Sequence, residues 1–426
     1  MKTVHLIIIN MKRILLFAAA LVLMTGCSDG EKVIDYPAAD FYTTPTLDIR
    51  RIELTDTSTV LHFSAVYIPW YWIRLDTGTH ITARGVKLPC RRSDRLVLGE
   101  KFHIPESGRD TFSLTFPPVP RGTKTIDFSE ERSGDAFRIL GIDLTGKRTP
   151  LDICRMVPAF ARMTPDREAG LPAPMMTDGT TTVNVNLLGY HAFGGNDVHI
   201  YVSHLDSGQE ERDLAVDARN AMASGTFSLH GPAKMVITRP VYVDFMAAPG
   251  ETVDVYVDLT ARSSEIRKKH FPEVVGSIEP RPRAYFRGTY SALNWYLNNE
   301  DCDDLPSDPF IMGVGIDSGW SDEEYADNVI RCYRVFADSL AAMPAAASVK
   351  EYYAGGLKNA LISAFRDAAE LRRESYVEAH GYDAPVPDFK NLSPDVLARL
   401  KEVVDVRDSS LLAYPGAISE IGRAHV

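Results

Sequence analysis

The chain has 426 residues, 45% of them hydrophobic and 24% charged, enough apolar content for folded cores and enough length for about three domains of roughly 150 residues each. Its formal net charge of -11, with a pI near 5.5, sets it against nucleic acid, whose phosphates such a surface repels. The cysteines, Cys27, Cys90, Cys154, Cys302 and Cys332, stand too far apart for the C-x-x-C spacing of a redox pair or a zinc knuckle.

At the N-terminus, Lys12 and Arg13 precede an apolar run from Ile14 to Met24, closed by Thr25-Gly26-Cys27. A basic start, a short apolar stretch and a small-residue end describe a secretory signal peptide, and a spanning helix would need about 20 apolar residues. Because cysteine closes the site, residues 1–27 resemble a bacterial lipoprotein signal, although Met24 stands where Leu is more usual. That resemblance implies cleavage before Cys27, acylation of its thiol and new amino group, and a membrane partner reached through those chains. Each buried methylene contributes about 0.8 kcal/mol, and two or more chains give stable attachment. The location implied is the cell envelope, on its periplasmic face or the cell surface. An ordinary secreted protein with a cysteine at this position would share the run but not the lipid. Met11 reads as the natural start, with residues 1–10 an over-extended leader. Residues 28–46 are polar and acidic and predict a solvated linker.

Residues 47–146 predict a β-sandwich of the immunoglobulin-like kind, with about seven short alternating strands separated by turn signals such as Asp76-Thr-Gly78 and Pro120-Arg-Gly122. Residues 147–180, with Pro158, Pro165, Pro172 and Pro174, predict a linker. A second antiparallel β-sandwich domain is expected over 181–262, from strand-like runs such as Val183–Leu188, Val198–Val202 and Thr252–Leu259. Within it, Pro249-Gly250-Glu251 lies between two such runs and predicts a hairpin turn. Arg267-Lys268-Lys269-His270 predicts one solvated basic face.

From 280 to 415 the period becomes helical. A short helix is expected over Tyr285–Leu297. Ser321-Asp-Glu-Glu324 and Ser348-Val-Lys-Glu351 both have the spacing of a capping box, and Ser393 before Pro394 marks a third start. Tyr325, Val329, Cys332, Tyr333, Phe336 and Leu340 form an apolar stripe that Pro344 ends. The fold class expected is therefore mainly β plus α. The last residues, 420–426, read Glu-Ile-Gly-Arg-Ala-His-Val and resemble the translation of a sequencing-adapter read-through, which predicts an artefact there and a longer natural protein.

Candidate chemistry is sparse. Tyr67-Ile-Pro-Trp-Tyr-Trp72 gathers aromatics; on a strand, Trp70 and Trp72 would share one face and Tyr71 the other. Trp70 and Trp72 are thus candidate ligand contacts, a stacking platform for a sugar or peptide, or else an anchor of the sandwich core. Asp301-Cys-Asp-Asp-Leu-Pro-Ser-Asp308 lacks the twelve-residue calcium-loop pattern. Gly313-Val-Gly315 with Gly319 misses the dinucleotide spacing, and His191, His199, His204 and His230 lack H-E-x-x-H spacing. No catalytic, cofactor-binding or metal-ligating residue is assigned, and no cofactor is expected.

Tyr71-Trp-Ile-Arg74, Ile104-Pro-Glu-Ser-Gly108, Phe112-Ser-Leu-Thr-Phe-Pro-Pro118 and Ala248-Pro-Gly-Glu-Thr252, set within this order of modules, resemble the region before the catalytic domain in TlpA/ResA-like thiol-disulfide oxidoreductases of Gram-negative envelopes. The resemblance spans about residues 11–412. It implies a thioredoxin domain downstream, absent from this chain together with its W-C-x-x-C motif, so no catalytic residue carries over. It makes the chain the non-catalytic front of such an enzyme, positioning a redox domain or its substrate. The alternative is a tethered, non-enzymatic binding or scaffold lipoprotein that recognises a glycan or protein partner.

Overall fold

The computed structural model describes residues 31–130, 136–147, 156–190, 197–205, 208–272, 282–300, 305, 309–310, 315–405 and 407–414. Cys27, Cys154, Cys302, His191, the acidic residues of 301–308 and the segment 420–426 lie outside them. The architecture is mainly β plus α, in two units: Met1–Pro150 with Ser263–Ile278, and Leu151–Arg262 with Glu279–Val426.

The first unit is built from β1 (Glu31–Asp35), β2 (Phe41–Tyr42), β3 (Leu47–Thr55), β4 (Thr59–Val66), β5 (Trp72–Ile73), β6 (His80–Ala83), β7 (Val86–Pro89), β8 (Arg92–Ser93), β9 (Phe102–His103), β10 (Arg109–Phe116), β11 (Thr125–Ser129) and β12 (Arg138–Asp143). They form two five-stranded sheets, ordered β1-β3-β4-β10-β8 and β2-β12-β11-β6-β7, and a separate ribbon, β5-β9. Alternation sends Leu61, Phe63 and Ala65 of β4 and Phe112, Leu114 and Phe116 of β10 to one side, where all are buried. Phe63 stacks on Phe112 of its own sheet at 5.1 Å and meets Phe128 of the facing sheet at 4.8 Å. Burying each such ring contributes on the order of 1.5–3 kcal/mol.

The stretch expected as a linker departs from expectation: residues 31–46 supply β1 and β2 to this sandwich. The sequence hid them because Ile34 is the only inward residue of β1, so no alternation shows.

The second unit holds β13 (Gly179–Leu188), β14 (Asp197–Ser203), β15 (Gln209–Asp217), β16 (Met222–Leu229), β17 (Ala233–Arg239), β18 (Val243–Ala247) and β19 (Thr252–Asp258). Helix α1 (Leu259–His270) follows, then β20 (Ala284–Arg287). The sheet order is β18-β17-β14-β15-β16-β13-β19-β20, antiparallel except for the parallel pair β13–β19. β15 and β16 share only the pairs Val216–Ala223 and Asp217–Met222, and the rings of Phe245 on β18 and Phe286 on β20 lie 6.3 Å apart, so the sheet is nearly closed.

Pro249-Gly250-Glu251 does not close a hairpin. β18 pairs with β17, whereas β19 pairs with β13 and β20. Turn chemistry reverses the chain but does not choose its partner. Here the Glu251 carboxylate accepts from the Ala248 N–H at 2.7 Å and from the Thr289 N–H and hydroxyl at 2.7 and 2.8 Å.

The helical part contains α2 (Ser291–Asn299), α3 (Asp322–Ala342), α4 (Ala347–Arg366), α5 (Ala368–His380) and α6 (Pro394–Ala398). Tyr285–Leu297 is thus part strand and part helix. Ser321 and Glu324 form the expected capping box, and Ser393 caps α6 through the Val396 N–H. Ser348 and Glu351 do not: α4 starts at Ala347, and Glu351 instead accepts from the Leu171 N–H. Gly356 gives the Tyr414 ring room to pack on α4, since a Cβ there would stand 2.8 Å from that ring.

Residues 263–272, at the end of α1 and just beyond, belong to the first unit. Ile266 enters its core, Arg267 donates to the carbonyls of Tyr36 and Pro37, and Phe271 meets the Tyr36 ring at 5.0 Å. His270 is 3% exposed, so the expected solvated face reduces to Lys268 and Lys269. Positions 267 and 270 are one helical turn apart and share the packed side.

Candidate functional site

The feature of the first unit that packing does not explain is the loop after β4. Tyr71 N–H donates to Ile68 O at 3.2 Å, with Pro69 second and Trp70 third in the turn. Trp70 has φ 69. Proline at the second place and φ > 0 at the third mark a type II turn, whose third residue is usually Gly or Asn. A bulky side chain in that conformation is an outlier.

Backbone hydrogen bonds fix the loop. Tyr67 N–H donates to Gly108 O at 3.0 Å, Trp70 N–H to Ile104 O at 3.0 Å, and Ile104 N–H to Tyr71 O at 2.8 Å. The ribbon continues as β5 and β9, with Trp72 opposite His103 and Ile73 opposite Phe102. Gly108 has φ 68, and a Cβ there would stand 3.1 Å from Tyr67 O, so the returning turn requires glycine.

Alternation then divides the ribbon. Ile73, Leu75 and Ile104 enter the core. Trp70, Tyr71 and Trp72 are 69%, 57% and 40% exposed, and Tyr67 and Ile68 are also exposed. The Tyr67 and Tyr71 rings meet edge to face at 6.5 Å, and Lys101 Nζ lies 4.4 Å from the Trp72 ring centroid. The expectation that Trp70 and Trp72 share one strand face is corrected: only Trp72 is in a strand, and Trp70 sits in the turn. Nor do these rings anchor the core, a place held by Phe63, Phe112 and Phe128. Lys101 and His103 were not foreseen, since two-residue strands leave no periodic signal.

The arrangement can stack flat, partly apolar faces of a ligand on a rigid ledge. Its aromatic rings cost solvent exposure in the free protein, which a bound partner would relieve.

Other polar groups of the first unit serve its interior. Tyr42 donates to Asp48 Oδ1 at 2.7 Å, and the Ile49 N–H donates to the same oxygen at 2.7 Å. Burial pushes the Asp48 carboxyl up to about 6, against the lowering effect of Arg267 and these two hydrogen bonds. His270 Nε2 is 2.9 Å from Pro45 O, which can only accept, so this nitrogen carries the proton. Nδ1 then accepts from Ser64 Oγ at 3.0 Å. Burial lowers the His270 imidazole to about 4.

In the second unit, His199 lies 2.6 Å from Asp213, His204 lies 3.6 Å from Glu210, and His230 lies 2.7 Å from Asp178. The hydrogen bond from His199 holds the Asp213 carboxyl low. Among the described residues no three His, Cys, Asp or Glu side chains are placed to hold a metal ion, and no helix is long and apolar enough to cross a membrane. Cys90 and Cys332 are free thiols, raised above the ordinary range by burial. No protein-family model matches the sequence, and no curated protein matches it.

Proposed function

We propose that this chain is a non-catalytic recognition protein of the cell envelope, tethered through acyl chains on Cys27, whose aromatic ribbon binds a saccharide. The observation that carries the reading is Trp70: a large ring held exposed in a left-handed turn conformation, beside Tyr71 and Trp72. Strain of this kind costs about 1–3 kcal/mol and is offset here by little burial, Trp70 being 69% exposed, which points to a role outside the fold. The ribbon's backbone bonds preorganise the rings, so little conformational freedom is lost on binding.

Affinity electrophoresis of the full chain through gels carrying polysaccharides tests the site. Retardation that disappears in a Trp70→Ala, Trp72→Ala double variant is expected. A panel that retards neither protein would defeat the saccharide reading. The tether is tested separately: cells fed an alkyne-tagged fatty acid should label the parent and not Cys27→Ser, and label on both would refute attachment at that sulfur.

A second reading is supported by the resemblance of the Ala248–Thr252 and Phe112–Pro118 segments to TlpA/ResA-like oxidoreductases. It makes these modules the part of such an enzyme that positions a redox domain or its client. Sequencing the gene beyond the codon for residue 416 decides it, because that reading requires a W-C-x-x-C motif downstream.

A further inference from the structure

We infer that the saccharide taken by the aromatic ribbon is anionic, of the uronate class. This rests on the saccharide reading above and adds a charge requirement.

The argument begins with the register of the ribbon. Trp72 faces His103 across the pair, and Ile73 faces Phe102. Side chains alternate along each strand, so the residues two places on share a side with Trp72 and His103. Ile73, Leu75 and Ile104 point inward and are buried. Trp72, Arg74, Lys101 and His103 are all exposed, on the opposite side of the ribbon. Lys101 confirms the placement, since its ammonium lies over the Trp72 ring, 4.4 Å from the centroid.

One outward face therefore carries a stacking ring with an ammonium, a guanidinium and an imidazole. Glu100 and Glu106 lie outside β9, at its two ends. Arg74 and Lys101 thus set two positive side chains beside the Trp72 ring, on a chain whose formal net charge is -11. A neutral sugar gains no Coulombic attraction from an ammonium or a guanidinium. A face of cations instead complements a carboxylate on each sugar, and Arg74 offers the planar fork that binds one in bidentate fashion.

Isothermal titration of the full chain with an oligogalacturonate, and with a neutral cello-oligosaccharide of equal length, tests this. The uronate is expected to bind at least about tenfold more tightly at low salt, with the margin shrinking as salt screens the charges. Lys101→Glu and Arg74→Glu should abolish the margin, while Lys101→Met, which keeps the stem over Trp72, should reduce it. Both positions are exposed, and unchanged near-ultraviolet circular dichroism verifies that the variants are folded. Equal affinity for the two sugars, lost in Trp70→Ala, overturns the charge requirement and leaves the saccharide reading standing. Binding to neither sugar overturns the uronate inference, and the polysaccharide panel then decides the saccharide reading on its own. Binding to phosphatidylglycerol vesicles through the same residues, with no uronate binding, overturns the inference in favour of a lipid surface.

Discussion

Trp70 shows how a single residue can separate folding from function. Its ring is 69% exposed and its φ is 69, so it adds little to the core and occupies a place where glycine fits without strain. Trp70→Gly is therefore expected to lower the unfolding free energy read from urea titration by no more than about 1 kcal/mol, because relief of the strain offsets the added chain entropy of glycine, while removing saccharide binding. A larger loss of stability would make the ring a structural anchor and undo the functional reading. The thiols permit a second statement at this scale. Thiolate is the reactive form, and burial pushes both Cys90 and Cys332 away from it. With no C-x-x-C pair in the sequence, an insulin-reduction assay on this chain should show no thiol-dependent turnover. Catalytic turnover would require a redox centre that neither residue explains.

Elements are held by polar contacts that periodicity alone does not reveal. Helix α2 lies against β18, which ends its sheet. Asn294 Oδ1 accepts from the Met246 N–H at 2.7 Å and its Nδ2 donates to Met246 O at 2.9 Å, so the amide acts as a piece of neighbouring strand. One helical turn on, Asn298 donates to Asp244 O at 2.7 Å. Covering an edge in this way satisfies groups that would otherwise invite another chain. Asn294→Leu should cost about 1–3 kcal/mol in chemical unfolding, because it strands a buried N–H and C=O. The two serine motifs make a paired comparison. Ser321→Ala should cost about 1 kcal/mol, as loss of a working N-cap. Ser348→Ala should cost nothing of that kind, because its buried hydroxyl finds no partner among the described residues. Both were read from one spacing. Only the first has its serine at the helix boundary, and tertiary packing moved the second boundary forward.

Across the whole molecule, the sequence made legible what rests on long repeating patterns: the β-rich first half, the helical last part, and the places where Ser321, Pro344 and Ser393 punctuate it. It did not reveal β9 or β20, whose few residues carry no period, nor that Ser263–Ile278 joins the first unit after the chain has passed through seven strands of the second. That return places two oppositely shifted groups in one region. Between about pH 4 and 6.5 the unfolded chain protonates His270 and the folded one does not, so this residue makes stability rise with pH. Between 3.8 and about 6 the folded chain keeps Asp48 protonated and the unfolded one does not, so this residue makes stability fall with pH. The two slopes oppose each other, and the parent should vary little over their overlap. Removing one partner exposes the other. In Asp48→Asn, hydrogen-exchange protection of peptides covering residues 263–271 should rise steeply from pH 4 to 6.5, after correction for intrinsic exchange. In His270→Gln it should fall between pH 4 and 6. If both variants track the parent, the segment does not draw its stability from these two groups, and the packing of Ile266 and Phe271 alone holds it in place.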